Sequence, residues 1–241
     1  MGSSRPLGSM GLRVALMVSV AALLAGSASA RTGIVPAVGA RGAPPAARAG
    51  APVGGAVPSP LTDPSLGLRT GPVAVPLALE LPSLGVNASV SGVGLTAKNV
   101  MDAPTGPAGD PVWQQAFWYR GSAIPGAKST ALIAGHVDGP RGAPAVFGRI
   151  DALRPGDPIV VRDLRSGLRV RFAVTESLTY PLDAASDPEV LTRIYGAGPV
   201  AGTKPRRSVD GLAHLTLITC AGTFRNGTHD HRLVVYATRT A

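Results

Sequence analysis

Residues 214–220 read HLTLITC and residues 232–238 read RLVVYAT. Each is an apolar, β-branched run about one strand long, bounded by polar sequence containing Gly, Asn or Asp. This pattern predicts two β-strands, His214–Cys220 and Leu233–Thr238. Working back toward the N-terminus, runs of the same kind recur at Leu77–Leu81, Val86–Val93, Ala131–Ala134, Pro158–Arg162 and Leu168–Glu176, separated by Gly, Pro and Asp turns. No long stretch has helical period, and only Ala145–Leu153 and the region around Asp187–Tyr195 read as short helical turns. Short strands punctuated by turns predict an all-β sandwich or barrel. The segment Tyr180–Gly211 is long and irregular, as functional or mobile loops often are.

The chain has 241 residues, with 31 Gly and 23 Pro crowded toward its first 75 positions, so one ordinary domain with N-terminal appendages is expected. The net charge is +9, and it divides unevenly. Residues 1–76 hold six Arg against Asp63, whereas residues 77–241 hold 17 basic and 13 acidic side chains. The strand-bearing part is thus only mildly basic. It lacks the Lys/Arg stripe with interleaved aromatics that binds nucleic acid, so no nucleic-acid partner is expected. A basic N-terminal arm suits an anionic membrane or wall polymer instead.

Residues 14–30, VALMVSVAALLAGSASA, follow Arg5 and Arg13 and end in Ala28-Ser29-Ala30. A basic start, an apolar centre and a small-residue end predict a secretory signal over residues 1–30, either cleaved or retained as a membrane anchor. Residues 31–76 show neither period 2 nor period 3.6 and predict a disordered Ala/Gly/Pro-rich spacer before a folded domain at 77–241. Few bulky side chains lie in that spacer. Deleting residues 31–75 is therefore expected to leave the melting temperature of the domain nearly unchanged.

Cys220 is the only cysteine, so no intramolecular disulfide can form. Its position at the end of HLTLITC, directly before Ala221-Gly222, places it where a chain leaves a sheet. Position alone leaves both a nucleophile and a small core residue open. A nucleophilic thiol needs a proton partner, usually His. His136 closes the apolar run ALIAGH at another strand exit, while His214 begins the cysteine strand and His229 and His231 lie in a polar stretch. Two strand ends can bring a thiol and an imidazole to one rim of a sheet.

Taken in order, these motifs resemble the sortase family, and within it the actinobacterial type called class F. LTLITC followed by RLVVYAT is similar to the family's TLxTC strand and the paired strand that opens with its catalytic arginine. ALIAGHVDG resembles the segment bearing the catalytic histidine, and PAVFGRIDALRPGDPIVV the piece that follows it. LELPSLGVNASVSGVGL and FWYRGSAIPG resemble the opening strands and the Trp-Tyr and Pro-Gly turn. The resemblance runs from about residue 77 to the C-terminus and implies a closed β-barrel of about eight strands. Ala221-Gly222 and a compact FRNGTHDH stand where many members carry Gly-Gly and a longer loop.

Matched position by position, the resemblance implies Cys220 as nucleophile, His136 as proton donor and acceptor, and Arg232 as the positive group beside the reacting carbonyl. Arg225 is the rival arginine, and Thr219 is implied to shape the substrate groove. The activity implied is that of a cysteine transpeptidase cutting an LPxTG-like surface-protein sorting signal between Thr and Gly. The acyl group would pass through a Cys thioester to an amine acceptor such as a peptidoglycan precursor. No cofactor and no metal are implied, and Asp183, Asp187, Glu189 and Asp230 are too scattered to predict a cation site. A cell-wall cysteine peptidase, releasing an acid to water, is the alternative enzyme. An exported β-barrel binding module is the non-enzymatic alternative.

Overall fold

In the computed structural model, which describes residues 61–63, 65–196 and 205–240, eight strands close into a barrel. They are β1 (Val73–Leu81), β2 (Val86–Val93), β3 (Ala116–Tyr119), β4 (Thr130–Gly135), β5 (Pro158–Asp163), β6 (Arg169–Pro181), β7 (His214–Arg225) and β8 (Thr228–Arg239). Around the barrel the order is β1-β2-β3-β4-β7-β8-β6-β5, with β5 pairing back onto β1. All neighbours are antiparallel except β2/β3 and β4/β7. The expected signal and residues 31–60 of the expected spacer lie outside the described residues.

The fold follows from which faces carry apolar side chains. Leu77, Leu79, Val90, Ile133, Val161, Phe172, Leu217 and Val235 point to a common centre and fill the barrel. A second apolar layer lies outside the sheet over β3, β4, β7 and β8. There Phe117, Leu132, Ala134, Ile218 and Val234 are covered by Leu191, Ile194 and Tyr195 of the one α-helix among the described residues, α1 (Pro188–Tyr195). Asp187 caps that helix by accepting from the Glu189 N–H at 2.8 Å, and Pro188 occupies its first turn. Strand β4 is therefore buried on both faces, which is why ALIAG reads as a continuous apolar run rather than an alternating one.

Several elements depart from the sequence expectation, among them β6, which runs to Pro181 instead of ending at Glu176 and so enters the stretch expected to be irregular. The domain begins before residue 77: β1 starts at Val73, and Pro76 sits in its irregularity between Ala74 and Leu77, where a missing N–H is harmless. Strand β3, four residues buried throughout, shows no alternation by which it could be read. Most consequential, β7 and β8 run well past Cys220 and start well before Leu233, because Asn226 and Gly227 (φ 51° and 83°) form a tight hairpin turn. Cys220 thus lies inside a ladder, not at its exit.

Residues just before β1 also belong to the domain. Leu61 is buried in the barrel cluster, the Leu95 N–H donates to the Leu68 carbonyl at 2.7 Å, and Arg120 donates to the Gly67 and Thr70 carbonyls. This corrects the expectation that the whole stretch 31–75 can be removed without effect. A chain beginning at residue 73 should melt about 5 °C or more below one beginning at residue 61, given the usual cost of losing a buried leucine. Equal melting temperatures in calorimetry would show that these contacts contribute nothing.

Candidate active site

The parallel pairing of β4 with β7 runs from Thr130↔His214 to Ala134↔Ile218. Carried two residues further, the same offset brings His136 level with Cys220. On the other side of β7, the antiparallel register sets Cys220 directly opposite Arg232. Directly opposed residues share a face, and Cys220 shares the outer face with Ile218 and Val234. Strand register alone therefore aligns His136, Cys220 and Arg232 in one row across three neighbouring strands, with strands spaced about 4.8 Å apart.

The row is closed to solvent. Cys220 and His136 are each 3% exposed and Arg232 is 1% exposed. His136 is held from three sides: its Nε2–H donates to the Pro104 carbonyl at 2.9 Å, and the Trp113 and Phe117 rings lie 4.9 and 5.5 Å from its own. In the neutral ring that bond keeps the proton on Nε2 and leaves Nδ1 unprotonated. Gly135, just before it, must lack a side chain, because a Cβ there would come within 2.6 Å of the Phe147 ring. Arg232 turns one guanidinium nitrogen back to its own strand, donating to the His231 carbonyl at 2.8 Å.

Burial pushes the Cys220 thiol up and the His136 imidazole down, which favours the neutral form of each. The Arg232 charge pulls the thiol back toward ionisation, while Asp138 opposes it. Burial likewise lowers the pKa of Arg232, with the Cys220 charge opposing. Alkylation of Cys220 by iodoacetamide should accordingly be at least about 10-fold slower at pH 7 than that of an exposed cysteine peptide. Its rate should also keep rising beyond the pH at which the peptide's levels off. A fast reaction that levels off at the peptide's pH would contradict the closed, neutral site.

Thr219 was expected at the substrate groove. Alternation along β7 instead turns it to the barrel side with Leu215 and Leu217, and it is fully buried. Its hydroxyl donates to the Gly135 carbonyl at 2.8 Å, tying the peptide before His136 to the strand of Cys220. Arg225 lies at the far end of the hairpin opposite Thr228, five positions along β7 from Cys220. Residues that sequence reasoning missed surround the row: Pro104 and Trp113 against His136, and Asp138 with His229 near Cys220. Among the described residues no group of three or more His, Cys, Asp and Glu is arranged to hold a metal ion.

Fold and row together define a closed β-barrel protein whose single buried thiol sits between an imidazole strand and a guanidinium. The chain belongs to the sortase family: the Sortase domain model matches residues 79–240. Among solved structures, sortase A from Corynebacterium diphtheriae is similar at 18% identity and a TM-score of 0.44, over 68% of this chain and 60% of that one. Sortase C-1 from Actinomyces oris is similar at 17% identity and 0.45, over 68% and 73%. A sortase D5 transpeptidase of Clostridium perfringens is similar at 18% and 0.43, over 68% and 78%. The chain thus spans less than two thirds of the first of these. No curated protein matches it.

Proposed function

We propose that this chain is a cysteine transpeptidase that cleaves an LPxTG-like sorting signal between Thr and Gly and passes the acyl group to an amine. The observation that carries this reading is the row of Cys220, His136 and Arg232 across β4, β7 and β8. As substrate binds, the Cys220 proton passes to His136. The thiolate attacks the Thr carbonyl carbon, and Arg232 with nearby backbone N–H groups takes up the negative charge on its oxygen. His136 then gives its proton to the departing glycine nitrogen as the C–N bond breaks, leaving a thioester on Sγ. An incoming amine attacks the thioester carbonyl, returns a proton to His136 and releases the Cys220 thiolate.

The acceptor we assign is an amine of a peptidoglycan precursor or of another surface protein. The apolar run at residues 14–30 and the Ala/Gly/Pro-rich sequence after it support a place outside the cytoplasm, anchored to or released from the membrane and facing the wall. Mass spectrometry of the chain mixed with a library of LPxTG-like peptides tests the proposal. The expected product is an acyl adduct on Cys220 that an added oligoglycine amine converts to a new peptide bond. Loss of the adduct to free acid alone, despite millimolar amine, would make the protein a peptidase. No adduct on Cys220 with any peptide would remove the acyl-transfer reading.

A further inference from the structure

Two polar side chains outside the row join its two sides. Asp138 lies two residues past His136 in the turn leaving β4, and His229 lies three residues before Arg232 on β8. Nε2 of His229 is 3.3 Å from Oδ1 of Asp138. The His229 side chain is only 8% exposed and the Asp138 side chain 34%, so this is not a loose surface pair.

Both residues are firmly mounted. Nδ1 of His229 is 3.4 Å from the Gly222 carbonyl, two residues past Cys220, and the Phe224 ring lies 5.1 Å from the imidazole. The His229 carbonyl accepts from Nη1 of Arg232 at 3.4 Å. Gly222 has φ 77° and would meet Asp230 with any Cβ, which lets β7 approach this closely. The Asp138 turn is fixed by the Asp138↔Pro144 bridge, by Ala145 N–H donating to Val137 at 3.1 Å and by Phe147 N–H donating to His136 at 2.9 Å. Oxygen atoms thus face both ring nitrogens of His229, the Asp138 carboxylate on one side and the Gly222 carbonyl on the other.

We propose that Asp138 and His229 form a positioning pair, a clasp that holds the His136 turn against the Cys220–Arg232 hairpin and sets the charge surroundings in which Cys220 and His136 exchange their proton. The inference rests on the reading of Cys220 and His136 as the reacting couple. Asp138 bears on both members, its negative charge strengthening the hold of each on its proton. Arg232 opposes it at the thiol. Among the described residues Asp230 and His231 also lie near the clasp, and their contact of 2.6 Å is half exposed and made with each other. Neither Asp138 nor His229 touches the reacting atoms in this role, so each acts through Cys220 and His136.

The test uses the whole chain with Asp138→Asn, His229→Ala, His229→Gln and the double variant Asp138→Asn/His229→Ala. Three quantities are read: melting temperature, the pH dependence of Cys220 alkylation by iodoacetamide, and single-turnover acylation by a sorting peptide. Asp138→Asn should move the alkylation midpoint down by about half a pH unit or more, because removing a nearby negative charge eases thiol ionisation. Acylation at neutral pH should fall about 10-fold in Asp138→Asn and in His229→Ala, with the double variant no slower than Asp138→Asn alone. His229→Gln keeps an N–H donor and should recover to within about 3-fold of the parent. An unmoved midpoint in Asp138→Asn, or losses that multiply in the double variant, would overturn the proposal. If Asp138→Asn does not fold, the Ala-against-Gln comparison at His229 decides it, equal losses overturning the clasp. Because alkylation needs no peptide, a shifted midpoint in a chain that acylates no substrate would sink the catalytic reading and spare the clasp.

Discussion

Cys220→Ala should lose peptide cleavage and acyl-adduct formation by at least about 10³-fold, as removal of a nucleophile does in other covalent enzymes, while the melting temperature stays within a few degrees. The size of the loss follows from what surrounds the thiol. It is the only cysteine in the chain, and the hydroxyl beside it in sequence cannot replace it. Thr219 faces the other side of β7 with its hydroxyl committed to the Gly135 carbonyl. His136 is buried with Nε2 bonded to Pro104, so an imidazole without the thiol has no route to a covalent intermediate. The small stability change follows from removing one sulfur from an apolar cluster of Phe117, Leu132, Ile218 and Val234, a change of about 1 kcal/mol. Turnover within 10-fold of the parent, measured by peptide mass analysis, would place the nucleophile elsewhere. A large fall in melting temperature with proportionate loss of activity would make Cys220 a core residue.

The strands were legible wherever apolar residues alternate on a sheet with one wet face or run unbroken between clear turns. Val86–Val93 has the bounds its sequence predicts, and β4 differs only by a residue at each end. The barrel's closure was not legible from the residues alone, because a sandwich and a barrel share the same pattern; it required the family resemblance. Strand β3 escaped because four wholly buried residues have no polar face to set a period. The Asn226-Gly227 turn was present in the sequence, but HDH beside it reads as loop. Tertiary pairing with β6 and β7 makes it strand, and Pro181↔His231 is already a ladder pair.

For the site, the strand-end cue holds for His136, one residue past β4, but not for Cys220, which lies within β7; strand register, not a shared exit, brings the two level. An offset of one residue in β4/β7 would put His136 and Cys220 on opposite faces. What no local pattern could reveal is the Asp138–His229 contact, which spans 91 positions and exists only once the β7–β8 hairpin has its full length. Pro104 over His136 is equally hidden, since a carbonyl acceptor carries no side-chain signature.

Arg232→Lys and Arg232→Ala should each lower single-turnover acylation by about 10²-fold or more, the usual consequence of losing one donor to a developing oxyanion, whereas Arg225→Ala should stay within about 2-fold. Sequence leaves both arginines available; the hairpin register separates them. Arg232 is opposite Cys220 and 1% exposed, while Arg225 pairs with Thr228 at the exposed tip. Burial lowers the Arg232 pKa and the Cys220 charge opposes that, but an arginine guanidinium starts high enough to keep its charge in a protein. Its planar fork can keep one nitrogen on the His231 carbonyl, at 2.8 Å, while another meets the substrate oxygen. Lysine offers the charge from a single point and cannot serve both directions at once. Alanine removes the donor from the part-buried His231 carbonyl and from the buried His229 carbonyl, so Arg232→Ala should also lose about 1–3 kcal/mol of stability, and Arg232→Lys less. The two variants thus separate rate from fold. Equal, large losses of acylation with unequal losses of melting temperature place the guanidinium at the reacting carbonyl. Acylation that declines only as far as the melting temperature does would reduce Arg232 to a packing residue, and a slow Arg225→Ala beside a normal Arg232→Lys would move the role to the hairpin tip.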